Sequence, residues 1–163
     1  MSLHGFDPII AKSPKAMILG SMPSVVSLEK HEYYGYRHNR FWKIMAAYFQ
    51  VELTNYKQKQ QLILDHSLIL WDVIASCERE GSLDSAIRHV SVNDIAALTQ
   101  TYPKIKRILC NGKKSWELYQ RYFGKRIDVS CICLPSTSNA NRTIKESELF
   151  AQWFTQLDRI MKE

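Results

Sequence analysis

Between Gly20 and Trp42 the chain gathers an unusual set of side chains: Ser21 and Ser24, the aromatics Tyr33, Tyr34, Tyr36 and Phe41, the cations Arg37 and Arg40, and the amide Asn39. Glycine lets a ligand approach the backbone, aromatics offer flat faces to a planar ring, and cations suit phosphate. A neutral amide orients a polar atom without adding charge. Together these residues suit a nucleobase. Asn39 has a second reading as the N-cap of a helix opening at Arg40, because an asparagine before FWKIMAAYF would satisfy orphan backbone donors. The two roles compete, since an oxygen aimed at backbone N–H groups is not free to orient water.

Such residues need a frame. Ala16 to Leu19 is a short apolar strand that breaks at Gly20, and roughly twenty residues separate it from the next helix. Connections of this kind usually take about 2–6 residues, so a binding or catalytic loop is the expected reason. Phe41, Ile44, Met45 and Tyr48 recur at i, i+3, i+4 and i+7, one apolar helix face, and Phe41 could serve core or site. A helix over Asn55–Asp65 with Thr54 as its cap follows, then a buried strand, Ser67 to Val73, ending in Trp71-Asp72. Asp72 either meets a ligand beyond the strand end or holds a loop through backbone N–H groups. After a Gly-Ser turn and a short helix from Leu83, Asp84 and Ser85 read as caps.

Ser91 to Asp94 has the spacing of a capping box for a helix running to Thr101, stopped by Pro103. Ile105–Cys110 is the third strand, Asn111-Gly112 turns into a helix over Lys113–Phe123, and Val129–Leu134 is the fourth strand. The polar loop PSTSNAN, residues 135–141, precedes a helix from Thr143 to Lys162 with Thr143 and Glu146 as capping box. Residues 1–15 read as irregular, with Pro8 and Pro14 against continuous structure. Four strands alternating with helices predict an α/β domain, a parallel sheet sandwiched by helices. The Gly20 loop, the Trp71-Asp72 end and the 135–141 loop should then converge at one sheet edge.

The 163 residues fit one domain, 1–163, and 45% hydrophobic with 23% charged residues is ordinary globular composition. No stretch approaches the ~20 apolar residues of a membrane span, and no basic-then-apolar leader opens the sequence, so a cytoplasmic monomer is expected. The net charge of +6 permits a polyanionic partner without requiring one. Four cysteines lack a CxxC and five histidines lack ligand-like spacing, so no metal is expected. Cys131 and Cys133 alternate along a strand and read as core thiols. Lys113 and Lys114 read as a solvated pair. A serine hydrolase built on Ser21 or Ser136 would lack the G-x-S-x-G elbow.

Taken together, GSMPS at 20–24 with SL at 27–28, YYGYRHNRFW at 33–42, LWDV at 70–73 followed by GSLDSAI at 81–87, and LPSTS at 134–138 resemble the uracil-DNA glycosylase superfamily, and within it the hypoxanthine (deoxyinosine) DNA glycosylase branch. The branch usually has a proline after LPSTS, where this chain has Asn139. The resemblance implies a three-layer α/β/α sandwich around a four-stranded parallel sheet. It also implies hydrolysis of the bond between deoxyribose and a deaminated base, in DNA, without a cofactor. It makes Asn39 the catalytic residue and places Gly20, Ser21, Met22, Pro23, Phe41 and Asp72 around the base. Arg37, Arg40, Ser136, Thr137 and Ser138 would then meet DNA, with repair at the nucleoid as the setting. The rival on the same fold is a nucleic-acid-binding module without chemistry.

Overall fold

The computed structural model describes residues 2–162. Two short strands, β1 (Leu3–His4) and β2 (Ile9–Ile10), open the chain where irregular structure was expected. They lead to β3 (Ala16–Gly20) and α1 (Val25–Lys30). Next come α2 (Phe41–Phe49), α3 (Tyr56–Asp65) and β4 (Leu68–Asp72). A hairpin of β5 (Ile74–Glu78) and β6 (Arg88–Val92) carries a 3-10 turn, Asp84–Ala86, between its strands. The remainder alternates: α4 (Ile95–Thr101), β7 (Arg107–Asn111), α5 (Lys113–Phe123), β8 (Ser130–Leu134) and α6 (Glu146–Met161).

The central sheet has five strands in the order β2-β4-β3-β7-β8. The four expected strands are parallel, and β2 adds an antiparallel edge to β4. A separate antiparallel sheet, β1-β5-β6, makes the hairpin part of the fold. The class is the expected α/β sandwich, with this correction to the strand count.

Alternation along the inner strands divides the core in two. Ala16, Ile18, Leu68, Leu70 and Leu109 face one side, with Phe41 and Ile44 of α2, Ile63 of α3 and Trp153 of α6. Met17, Leu19, Ile69, Ile108 and Cys110 face the other, with Ile95 of α4 and Leu118, Tyr119 and Phe123 of α5. Strands buried on both faces show unbroken apolar runs, which is why LILW reads so plainly.

Several boundaries depart from expectation for identifiable reasons. Asn55, not Thr54, caps α3, its side chain accepting from Gln58 N at 2.9 Å. Ser91 belongs to β6, and Asp94 alone caps α4 through Ala97 N. Thr143 donates to Asn141 Oδ1 at 3.0 Å instead of capping, so α6 begins at Glu146. Cys133 is exposed because β8 is the outer strand, whereas the Cys131 sulfur lies 3.6 Å from buried Cys110. Lys113 sits 3.8 Å from Glu117 on a solvated helix face.

Candidate active site at the carboxyl edge of the sheet

Parallel register sets Gly20 beside Asp72 at the ends of β3 and β4. The chain then crosses from Gly20 and Ser21 to the next strand, their carbonyls accepting from Val73 N at 2.9 Å and Ile74 N at 3.1 Å. The 20–24 loop is braced from behind by the β5–β6 connection. Arg79 donates to Pro23 O and Gly81 O, both at 2.7 Å, Ser21 Oγ donates to Asp84 Oδ1 at 2.8 Å, and Val25 N donates to Ser82 Oγ at 2.9 Å. Arg79 carries no signal in the sequence that marks it for this task; only the packing of two distant loops does. Met22 and Pro23 are buried and form floor, while Ser21 is half-buried.

Asn39 resolves the competition between its two roles by dividing its amide. The helix opens at Phe41 with Arg40 as its N-cap, so Asn39 lies one residue outside the cap position; its Oδ1 accepts from Phe41 N at 2.9 Å and from Thr137 Oγ1 at 2.8 Å. Both lone pairs of that oxygen are thereby used. The Nδ2 end makes no hydrogen bond among the described residues, and Asn39 lines a groove of about 1320 Å³. The flip state is fixed by a chain of donors. Asn111 Nδ2 donates to Thr137 Oγ1 at 3.0 Å, Asn111 Oδ1 accepts from Thr137 N at 3.0 Å, and the threonine hydroxyl in turn donates to Asn39 Oδ1.

Thr137 is therefore not a phosphate contact: it is fully buried, and its hydroxyl positions Asn39. Asn111, also buried, was missed as a functional residue. Its place at the end of β7, on the edge that holds Gly20 and Asp72, was the signal available. Arg40 lines the groove and also braces the 135–141 loop through its guanidinium. Nε donates to Thr137 O at 3.2 Å, and Nη2 donates to Ser138 O at 2.5 Å and Asn141 O at 3.2 Å. Ser136 Oγ accepts from Ser138 N and Ser138 Oγ from Ala140 N, so both serines stiffen this loop while remaining half-buried. Arg37 is exposed on the groove, its Nε donating to His38 Nε2 at 3.1 Å.

The inner end of the site is acidic and dry. Asp72 is 4% exposed, and its Oδ2 has no hydrogen-bond partner. Burial, with the Asp84 carboxylate nearby, pushes its carboxyl up to about 7, Arg79 pulling the other way. A Cβ on Gly20 would clash with Asp72 Oδ1 and lie 2.8 Å from the Tyr34 hydroxyl, so a larger residue there would have to push these two side chains aside. Phe41 is wholly buried, its face covered by Tyr34. Burial raises the Tyr34 hydroxyl well above the ordinary tyrosine range, Asp72 adds to this, and Asn111 opposes it.

The described residues hold no cluster of three or more metal-ligating side chains, and no helix among them is long and apolar enough to cross a membrane. The arrangement offers a polar groove, an oriented amide donor and, behind them, a buried carboxyl beside an aromatic face. A family profile described as the uracil DNA glycosylase superfamily matches residues 8–158. A hypoxanthine DNA glycosylase of Methanosarcina barkeri is 35% identical over 146 residues, covering 87% of this chain and 90% of that protein. One of Methanosarcina acetivorans is 33% identical over 149 residues, covering 90% and 93%. The solution NMR structure of a candidate uracil DNA glycosylase from M. acetivorans superposes with a TM-score of 0.82 at 31% identity, covering 98% of this chain and 99% of that one.

Proposed function

The chain belongs to the uracil DNA glycosylase superfamily, and from that premise we propose that it is a monofunctional DNA glycosylase acting on deaminated bases, hypoxanthine first and uracil second. The observation that carries the assignment to this site is the divided Asn39 amide, its oxygen locked by Phe41 N and Thr137 and its Nδ2 free toward the groove. An amide so held cannot take a proton. It acts as a donor, fixing the attacking water through one lone pair and leaving the other for the sugar carbon. Water adds at C1′ as the C1′–N bond breaks, the bond's electron pair leaves with the base, and the water's protons complete the abasic sugar and the free base.

The departing base gains negative charge, so donors at its carbonyl contribute most, and one preorganised donor is worth about 2.7–4 kcal/mol. Backbone N–H groups at Ser21 and Met22 serve this end. Asp72, whose carboxyl its surroundings raise to about 7, presents a carbonyl and an O–H side by side in its protonated form. That pair matches the lactam edge shared by hypoxanthine and uracil, accepting the ring N–H and donating to the adjacent oxygen. An ionised Asp72 would oppose the leaving anion. The base reaches this slot only after flipping, which costs a few kcal/mol and less at a mispair. Arg37 adds phosphate affinity and the braced 135–141 loop fills the space vacated in the duplex. The protein works as a monomer in the cytoplasm, at the nucleoid, and the route uses water alone.

The test is base release from labelled oligonucleotides carrying one deoxyinosine, deoxyuridine or deoxyxanthosine, single-stranded and opposite each normal base, with abasic sites revealed by alkali. Release from deoxyinosine is expected. Release from deoxyuridine alone would move the substrate assignment, and tight DNA binding with no release would make the chain a binding module.

A further inference from the structure

Tyr34 stands where the substrate should go. Its ring lies flat on Phe41, centroids 4.3 Å apart at 27°, the geometry a stacked nucleobase would adopt. Its hydroxyl reaches the Asp72 end: a Gly20 Cβ would lie 2.8 Å from that oxygen and would clash with Asp72 Oδ1. The phenol thus spans the distance from the aromatic face to the carboxyl that the proposed function assigns to the base.

The fit is imperfect in an informative way. The Tyr34 hydroxyl and Asp72 Oδ2 are both buried and neither makes a hydrogen bond. Tyr34 also holds a left-handed backbone, φ 53°, which a bulky side chain seldom adopts. Its neighbours are tied down. Tyr33 donates its hydroxyl to Asp7 O and its N–H to the Tyr56 hydroxyl, and Gly35 N donates to Ser27 Oγ. Only the Tyr34 side chain is left to move, and the open groove lies directly before it.

We propose that Tyr34 is a gate: in the free protein its ring occupies the base slot on Phe41, and base entry requires it to turn out into the groove. This rests on the reading of that slot as the base site. The two unpartnered polar atoms keep the closed state only weakly favoured, so a flipped base can displace the ring. A gate lowers apparent affinity by the fraction of open protein, equally for every base.

That equality makes the proposal sharp. In single-turnover assays with protein in excess over the duplex but below saturation, Tyr34→Ala should raise release of hypoxanthine and of uracil by the same factor, about fivefold or more. Tyr34→Phe keeps the ring and removes the unpartnered hydroxyl, so it should hold the slot shut, slow both by a common factor and raise the melting temperature. NMR of the wild type should show Tyr34 ring resonances shifted by Phe41. That shift should disappear with a duplex carrying non-cleavable 2′-fluoro-2′-deoxyinosine and persist with the same duplex carrying adenine. Loss of release in Tyr34→Ala, or a changed hypoxanthine-to-uracil ratio, would make Tyr34 a contact of the bound base and overturn the gate. Ring resonances unmoved by the inosine duplex, with hypoxanthine still released, would overturn the gate and leave the glycosylase reading intact. Unmoved resonances and no release of any base would overturn both.

Discussion

Asp72 is the residue whose surroundings demand most explanation. A carboxyl raised from 3.8 to about 7 is protonated in the folded protein, between those two pH values, while its unfolded counterpart is already ionised. The stability it contributes is therefore complete below about pH 4, is lost as pH rises toward about 7, and stays lost above that, a deficit on the order of 4 kcal/mol. Asp72→Asn should accordingly melt several degrees above the wild type at pH 8, with the gap closing toward pH 4; parallel melting curves at all pH values would contradict the buried neutral acid. The same ionisation should appear in catalysis. Base release should fall as pH rises through about 7, and that alkaline limb should vanish in Asp72→Asn. Sequence placed this aspartate at a strand end but left open what it does there, because its burial depends on segments distant in sequence, Gly20 among them, folding beside it. Asn39 was legible as both cap and site residue. What could not be read was that one amide serves both, since the partner hydroxyl of Thr137 lies 98 positions away.

At the scale of elements, long apolar strands and periodic helices were legible and short ones were not. The six residues of α1 offer too few turns for a period to show, although Ser24 caps it by accepting from Ser27 N. The strands β5 and β6 mix polar and apolar residues because they form a thin outer sheet, and β1 and β2 exist only through pairing with distant partners. The 135–141 loop is a connection whose order comes from elsewhere, through Arg40 and its own serines. Within it, Asn141 N donates to Ser138 O at 3.0 Å, a turn that places Asn139 at the second position, where proline is favoured. Asn139→Pro should thus leave the fold intact and raise stability by about 0.4–1 kcal/mol, read as a small increase in melting temperature. A clear fall would mean the turn needs a backbone that proline cannot adopt.

For the molecule as a whole, the excess of 22 basic over 16 acidic residues becomes meaningful only through its placement. Arg37, Arg40, Lys43, Lys59 and Arg142 line the groove that holds Asn39, Arg40 also bracing loop carbonyls, whereas Arg79 is spent inside on Pro23 O and Gly81 O. Affinity for DNA should fall steeply with salt, and Arg37→Ala should reduce the slope of log affinity against log salt by about one, equally for damaged and undamaged duplex. A slope unchanged by Arg37→Ala would remove that residue from the interface. The sheet converts sequence-distant loops into one edge, bringing positions 20, 39, 72, 111 and 137 together. The most direct measurement is single-turnover base release from a deoxyinosine duplex by Asn39→Ala, beside its melting temperature and its affinity for the same duplex. We predict release lowered about a hundredfold or more with DNA affinity kept and stability reduced by about 1 kcal/mol, the worth of a lost cap. Release at the wild-type rate from a folded Asn39→Ala protein would show that the amide only caps its helix.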